Sequence, residues 1–153
     1  MAWAEAEAAT YPRAPRSAVQ RPLERRCVDA YDAEGMFSVR SGEFTIGGDL
    51  GGSPYAGQAL RAGRKGKIWW QPDHGAPEMA LIVRGRSLSS PQDTIRFNST
   101  NVARPARGNG VRPVALEQRD YFFPSGIAIP RAGRWLVIAT SGTNWGCFII
   151  RVV

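Results

Sequence analysis

The sequence predicts an all-β fold built as an antiparallel sandwich of about seven to nine short strands. Short runs of alternating apolar and polar residues recur from residue 34 onward, and turn residues bound each run. No long amphipathic helical pattern interrupts them. The 17 glycines and 11 prolines suit a fold with many turns. Strand number and strand length together favour a sandwich of the immunoglobulin-like type.

The clearest predicted element is the C-terminal hairpin. Residues 133–140 and 145–153 are two runs rich in β-branched and aromatic residues, separated by a Ser-Gly-Thr-Asn turn. In the second run Cys147 and Ile149 lie on one face and Phe148 on the other. Apolar residues on both faces predict central strands, or a strand whose outer face is covered by another part of the chain or by a partner.

The upstream strands are predicted by the same alternation, at residues 34–42, 43–46, 67–71, 79–86 and 93–98. Two further segments contain proline. Residues 111–117 are predicted to form an edge strand, because Pro113 cannot donate to a ladder. Residues 121–129 are predicted to be a bent strand or a crossover, because Pro124 and Gly126 interrupt the run.

The chain divides into an N-terminal arm, residues 1–26, and a sandwich domain, residues 27–153. Pro12, Pro15 and Pro22 interrupt any helix in the arm and favour an extended backbone. Such an arm is either disordered or draped over a partner. We therefore expect protein partners to contact the arm and an outer face of a sheet.

The charge balance is strongly basic. The formal net charge is +7, and of the 20 lysine and arginine residues only Lys65 and Lys67 are lysines. A positive surface favours an anionic partner such as nucleic acid, an acidic polysaccharide or lipid headgroups. The alternative is a basic composition with no specific anionic partner.

Cys27 and Cys147 are the two cysteines, and two alternatives stay open for them: a long-range disulfide, or two buried reduced thiols. Their spacing and the single histidine exclude a zinc site of the CxxC kind. No cofactor is predicted. No apolar run reaches the length of about 18 residues that a transmembrane helix needs, and residues 1–10 lack the features of a signal peptide.

The best candidate binding surface combines positive charge with flat rings, which suits stacking on a sugar or on single-stranded nucleic acid. Since adjacent strand residues point to opposite faces, only one of Trp69 and Trp70 can face outward if one face is wet. The alternative is that both rings serve packing alone. The candidate residues are Trp69, Trp70, Arg61, Arg64, Lys65, Lys67 and Trp145, and a second basic cluster comprises Arg104, Arg107 and Arg112.

Catalytic motifs are weak throughout. His74 lies in a predicted turn with no nucleophile motif near it, so an exposed loop histidine is the better interpretation. The glycines between residues 47 and 57 lead toward a strand rather than a helix and therefore do not predict a phosphate loop. No paired motif links the carboxylates Asp73, Glu78, Asp93, Glu117 and Asp120. We expect the protein not to be an enzyme.

Two stretches carry a resemblance to a known group. Pro130, Gly133, Trp135 and Val137, followed by residues 148–152, match the pattern "P-x-x-G-x-W-x-V … F-V-V-R-V". Residues 66–70 and 81–88 match "G-K-x-W-W" and "L-x-V-x-G-R-x-L". Over about residues 43–153 the chain resembles mostly uncharacterised bacterial immunoglobulin-like β-sandwich domains of secreted or lipid-anchored proteins. Similar proteins tend to have a cysteine where this chain has Arg134.

The resemblance implies an extracytoplasmic location, although the chain contains no recognisable signal peptide. Two function hypotheses follow. The first is a non-catalytic structural or protein-interaction module, an accessory subunit of a larger bacterial assembly or envelope protein. The second is a binder of carbohydrate or anionic polymer through Trp69, Trp70 and the basic residues between Arg61 and Lys67.

Overall fold

Two β-sheets face each other in the computed structural model of this chain, which describes residues 27–30, 38–51, 59–74, 80–100 and 121–153. These ranges contain nine strands and no helix. The prediction of an all-β fold is thus confirmed for the described residues. They also include no helix that could cross a membrane. The N-terminal arm and the strand predicted at residues 111–117 lie outside them.

The larger sheet has five strands. Their order across the sheet is β1 (Val28–Asp29), β9 (Asn144–Val152), β8 (Gly133–Ser141), β5 (Leu81–Ser87) and β6 (Thr94–Ser99). Neighbouring strands are antiparallel except for β1 and β9, which run parallel. The predicted C-terminal hairpin is β8–β9, and Gly142 in its turn has a φ of 58°, a conformation that favours glycine.

The smaller sheet has four strands, all antiparallel to their neighbours. Their order is β2 (Ser38–Ser41), β3 (Phe44–Gly48), β4 (Lys65–Pro72) and β7 (Phe123–Ala128). The segment that was predicted to be a bent strand or a crossover at Pro124 and Gly126 forms the strand β7, which pairs continuously with β4. Proline is compatible with β7 because, among the described residues, this strand lies at the edge of its sheet.

The core lies between the two sheets. Its largest fully buried side chains include Trp70, Phe44 and Phe123 from the smaller sheet and Trp135 and Phe148 from the larger one. Both buried indoles have a partner for their N–H group, as burial requires. Trp70 donates to the hydroxyl of Ser125 (2.8 Å), and Trp135 donates to the carbonyl of Arg131 (3.0 Å).

A disulfide between Cys27 and Cys147 attaches β1 to β9, so the structure contains the first of the two alternatives left open by the sequence. In the parallel register Val28 lies opposite Phe148, so the residues that precede them, Cys27 and Cys147, also lie opposite each other. Their Cα atoms are 4.7 Å apart, which is the ordinary spacing of neighbouring strands. The bond joins residues 120 positions apart in the sequence and therefore closes most of the chain into one loop.

The β2–β3 turn joins the two sheets at one end of the sandwich. The Glu43 amide donates to the Trp145 carbonyl (2.9 Å), and the Trp145 amide donates to the Glu43 carboxylate (3.1 Å). The Cys147 amide donates to the hydroxyl of Ser41 (3.0 Å). Trp145 and Cys147 belong to a second apolar cluster on the outer side of the hairpin, together with the buried Leu136. These contacts anchor the start of β9.

Candidate binding groove on the four-stranded sheet

Strand β4 alternates between a buried face and an exposed face. Ile68 and Trp70 point into the core, and Trp70 has no exposed surface. Lys65 and Lys67 are exposed and Trp69 is partly exposed on the opposite face. The expected orientation of the two indoles on opposite faces is therefore observed. The choice of Trp70 as a candidate surface residue was wrong, because its ring fills the core.

An open groove of about 560 Å³ runs along this outer face. Its lining residues come from three neighbouring strands and the residue preceding β7: Gly48, Lys65, Gly66, Lys67, Ile68, Trp69, Phe122, Pro124, Ser125 and Gly126. The volume is within the range of about 300–1,000 Å³ that is typical of small-molecule sites. Two aromatic rings and two ammonium groups therefore share one concave surface.

Glycine on each neighbouring strand lets the side chains of β4 lie against the backbone. Gly47 faces Trp69 in the register, and a Cβ atom at Gly47 would lie 2.2 Å from Cζ2 of the indole. On the other side, a Cβ atom at Gly126 would lie 3.3 Å from Cδ and Cε of Lys65. The indole thus rests on β3 and the lysine stem rests beside β7, close approaches that a missing side chain allows.

The polar groups near the groove are already engaged with the protein. The Ser125 hydroxyl accepts from Trp70 and donates to the Ile68 carbonyl (2.9 Å). One Asp49 carboxylate oxygen accepts the Lys67 backbone N–H (2.7 Å), which secures the end of β3 against β4. A ligand in this groove would therefore meet the indole ring, the two lysines and apolar surface.

Arg61 and Arg64 belong to the turn that leads into β4, where the Arg64 amide donates to the Arg61 carbonyl (3.1 Å). Both are exposed, and neither lines the groove. The candidate basic patch is therefore divided: two lysines lie in the groove, and two arginines precede it in the chain. Trp145 belongs to the other sheet, where it contacts the β2–β3 turn. Within the described residues its buried Nε1 has no hydrogen-bond partner. It is not part of the groove.

His74 is held by its backbone, since its N–H and C=O groups both bond to the side chain of Asn144. The neighbouring Asp73 is engaged by the Arg40 guanidinium, which donates to both carboxylate oxygens. That hydrogen bond, with the charge of Asp73, raises the pKa of Arg40 above its usual value.

In the part of the chain that the structure describes, no three His, Cys, Asp or Glu side chains form a metal-binding group. Glu78, Glu117, Asp120 and the cluster Arg104–Arg107–Arg112 lie outside that part.

The structure shows a second basic surface that the sequence pattern did not predict. The outer side of the five-stranded sheet carries arginines from four strands: Arg84, Arg86, Arg96, Arg134 and Arg151. We call this surface the arginine face. Arg84 lies directly opposite Arg96. Burial lowers the pKa of Arg84, and the charge of Arg96 lowers it further. Each strand's alternation points one or two arginines outward, but only the strand order brings them together.

The groove residues Phe122, Pro124 and Gly126 were also missed. The isolated glycine in a strand pattern was the only available signal, since such a glycine often marks a close approach of another group.

Comparison of the chain with models of known protein families, with curated proteins and with solved structures found no match.

Proposed function

We propose that this chain is a non-catalytic binding module and that the groove beside Trp69 holds a saccharide chain. The partly exposed indole of Trp69 at the wall of an open groove is the observation that carries the proposal. A flat aromatic ring presents a large apolar surface to the C–H face of a sugar ring at little cost in side-chain entropy. An aromatic wall of this kind is the part of the site that can hold a neutral ring.

The packing of Trp69 supports a binding role over core packing. The core of this sandwich is filled by Trp70, Trp135 and the phenylalanines, so Trp69 is not needed there. Its ring lies over Gly47 in the space that a side chain there would fill, so the contact with β3 restricts its position at the groove. A ring that is positioned in this way before the ligand arrives loses little conformational freedom on binding.

The strand order supports an immunoglobulin-like topology for the module. In that topology strands A, B and E adjoin in one sheet, and strands C, F and G adjoin in the other with C′ beyond C. Strands β3, β4 and β7 correspond to A, B and E. Strands β5, β8 and β9 correspond to C, F and G, and β6, beyond β5, corresponds to C′. Strands β4 and β8 carry Trp70 and Trp135 into the core, where antibody domains have their inter-sheet disulfide.

The disulfide supports action in an oxidising compartment, outside the cytoplasm, because such bonds persist mainly there. A secreted or envelope-bound sugar-binding module would act as an accessory subunit of a larger assembly. The expectation that protein partners contact the N-terminal arm stays a prediction, since the arm lies outside the described residues.

Affinity electrophoresis tests the proposed function. The full chain would be run through native gels that contain hydroxyethylcellulose, glucomannan, xylan or polygalacturonate. We expect retardation by at least one polymer, its loss in Trp69→Ala and its retention in Trp69→Tyr, which keeps a flat ring. Equal urea unfolding curves would show that both variants fold. Absence of retardation by every polymer, or equal retardation of Trp69→Ala, would contradict the proposal.

A further inference from the structure

We propose that the saccharide held in this groove is a carboxylated one, a chain containing uronic acid units, whose carboxylates pair with Lys65 and Lys67. This inference rests on the proposed function and specifies its ligand. Four structural features carry it: the line formed by three side chains on β4, the type of cation, the placement of the lysine stems and the contrast with the arginine face.

Lys65, Lys67 and Trp69 form one straight row on the outer face of β4. Residues two apart on a strand are separated by about 6.6 Å along its axis, so two cations and one flat ring follow each other at a regular interval. A ligand that matches this row must itself be extended and must present negative charge beside a ring. An acidic polysaccharide has both properties, with a ring in every unit and charge on its carboxylated units.

The cations in the groove are both lysines. They are the only two lysines in the sequence, and among the described residues no arginine lines the groove. Arginine offers a planar fork that matches carboxylate or phosphate oxygens in pairs, and lysine acts as a compact point charge that pairs with single anionic groups. A single-stranded nucleic-acid site presents several rings for successive bases, and of the two rings that line the groove only Trp69 lies in the row with the lysines. Two point charges in line with one indole suit carboxylates spaced along a saccharide chain.

The two lysines are available for a ligand. In the part of the chain that the structure describes, neither lysine forms an ion pair with a carboxylate. The Lys65 stem lies beside Gly126, where a Cβ atom would come within 3.3 Å of its Cδ and Cε atoms. Among the described residues, therefore, no carboxylate neutralises the two lysines that line the groove.

The arginine face is the second basic surface of the described residues, and it lies on the same side of its sheet as Trp145. It has more charge than the groove, but it includes an ion pair between Arg134 and Asp29 (3.3 Å). The two surfaces lie on opposite sides of the sandwich, since one belongs to each sheet. Substitutions on one surface therefore leave the other surface unchanged, so the contribution of each to binding can be measured. Binding that follows the number of positive charges would use the arginine face, and binding that follows the row of Lys65, Lys67 and Trp69 would use the groove.

The test compares one polymer in two charge states. Polygalacturonate carries a carboxylate on each unit, and methyl esterification removes that charge and keeps the chain. Binding of the full chain to each polymer, and to poly(dT), would be measured by tryptophan fluorescence titration at low salt. We expect polygalacturonate to bind at least tenfold more tightly than its highly esterified form, because two exposed charge interactions together amount to about that factor.

Matched variants locate the charge effect. The Lys65→Gln/Lys67→Gln double variant should bind polygalacturonate about tenfold more weakly and should bind the esterified polymer unchanged. The control is Arg96→Gln/Arg151→Gln, which removes the same net charge from the arginine face and should change binding less than about twofold. All four residues are exposed, so the variants should fold, which their urea unfolding curves would check.

Each other outcome overturns the inference in a distinct way. Equal binding of the two polymers, with loss in Trp69→Ala, would leave the proposed function standing and remove the role of the carboxylates. Tighter binding of poly(dT), dependent on the two lysines, would make the groove a nucleic-acid site. Loss of binding in the arginine-face variant would place the anion on the other sheet. Absence of binding to either polysaccharide would contradict this inference, while the neutral glycans in the gels still test the proposed function.

Discussion

Asn144 binds both backbone groups of His74 with its side-chain amide. Its Oδ1 accepts the His74 N–H (3.0 Å), and its Nδ2 donates to the His74 carbonyl (3.2 Å) and to the Ser141 carbonyl (2.8 Å). Asn144 is 1% exposed. This side chain, at the start of β9, thus binds the backbone of His74 just beyond the end of β4, 70 residues away, and links the two sheets.

Replacing Asn144 with alanine should lower the free energy of unfolding by about 2–3 kcal/mol, because three bonds are lost and buried polar groups are left without partners. Asn144→Asp should also destabilise, since a carboxylate cannot donate to the two carbonyl groups. Urea denaturation measures both. His74→Ala is the control and should change stability by less than about 0.5 kcal/mol, because the contact uses only the His74 backbone. A large loss in His74→Ala would contradict this explanation.

Removing the disulfide should destabilise the fold without changing its topology. Because Cys27–Cys147 closes a very long loop, the Cys27→Ala/Cys147→Ala variant should lose about 2–5 kcal/mol of unfolding free energy. The parent chain in the presence of a reductant should show the same loss. Hydrogen exchange adds a local measurement: the Ala30 amide, which bonds to the Ile149 carbonyl (2.8 Å), should lose protection first. Unchanged stability on reduction would refute the prediction.

The glycine beneath Trp69 offers a test that does not touch the ring itself. Gly47→Ala would place a methyl group 2.2 Å from the present position of the indole, so the ring must move away from β3. We expect stronger acrylamide quenching of Trp69 fluorescence and weaker saccharide binding. Gly126→Ala is the matched control. Its new methyl group meets only the Lys65 stem at 3.3 Å, so the fluorescence should not change. Equal quenching in the two variants would show that Gly47 does not position Trp69.

Ser125 lines the groove, but its hydroxyl forms its hydrogen bonds with residues of β4 and not with the groove. It accepts from the Trp70 indole and donates to the Ile68 carbonyl. Ser125→Ala should therefore cost about 1–3 kcal/mol of stability, because the buried indole N–H loses its partner. Saccharide binding by the folded variant should remain. In a double-mutant cycle, Trp70→Phe and Ser125→Ala should be less than additive, since either change removes the same bond. Strict additivity would contradict this coupling.

The alternation of apolar and polar residues determined much of the fold by itself. It predicted the C-terminal hairpin, the strand containing Lys67 and Trp70, and the opposite orientation of Trp69 and Trp70. It did so because a strand's two faces are set by its own sequence, whatever its neighbours are. It left β7 undecided between a bent strand and a crossover, since whether a strand tolerates Pro124 depends on its place in the sheet, which the local pattern does not contain.

The tertiary structure decided which strands became neighbours and in which register. Only pairing with β7 placed Gly126 and Pro124 beside Lys67 and Trp69, which made the groove. Only the parallel pairing of β1 with β9 brought Cys27 to Cys147. Contacts between residues distant in sequence depend on how all the strands share one core, and a local periodicity does not encode that arrangement. The sequence alone therefore placed Lys67 and Trp69 on one face of a strand, and the fold extended that strand to Lys65, turned this face outward and made it a candidate site.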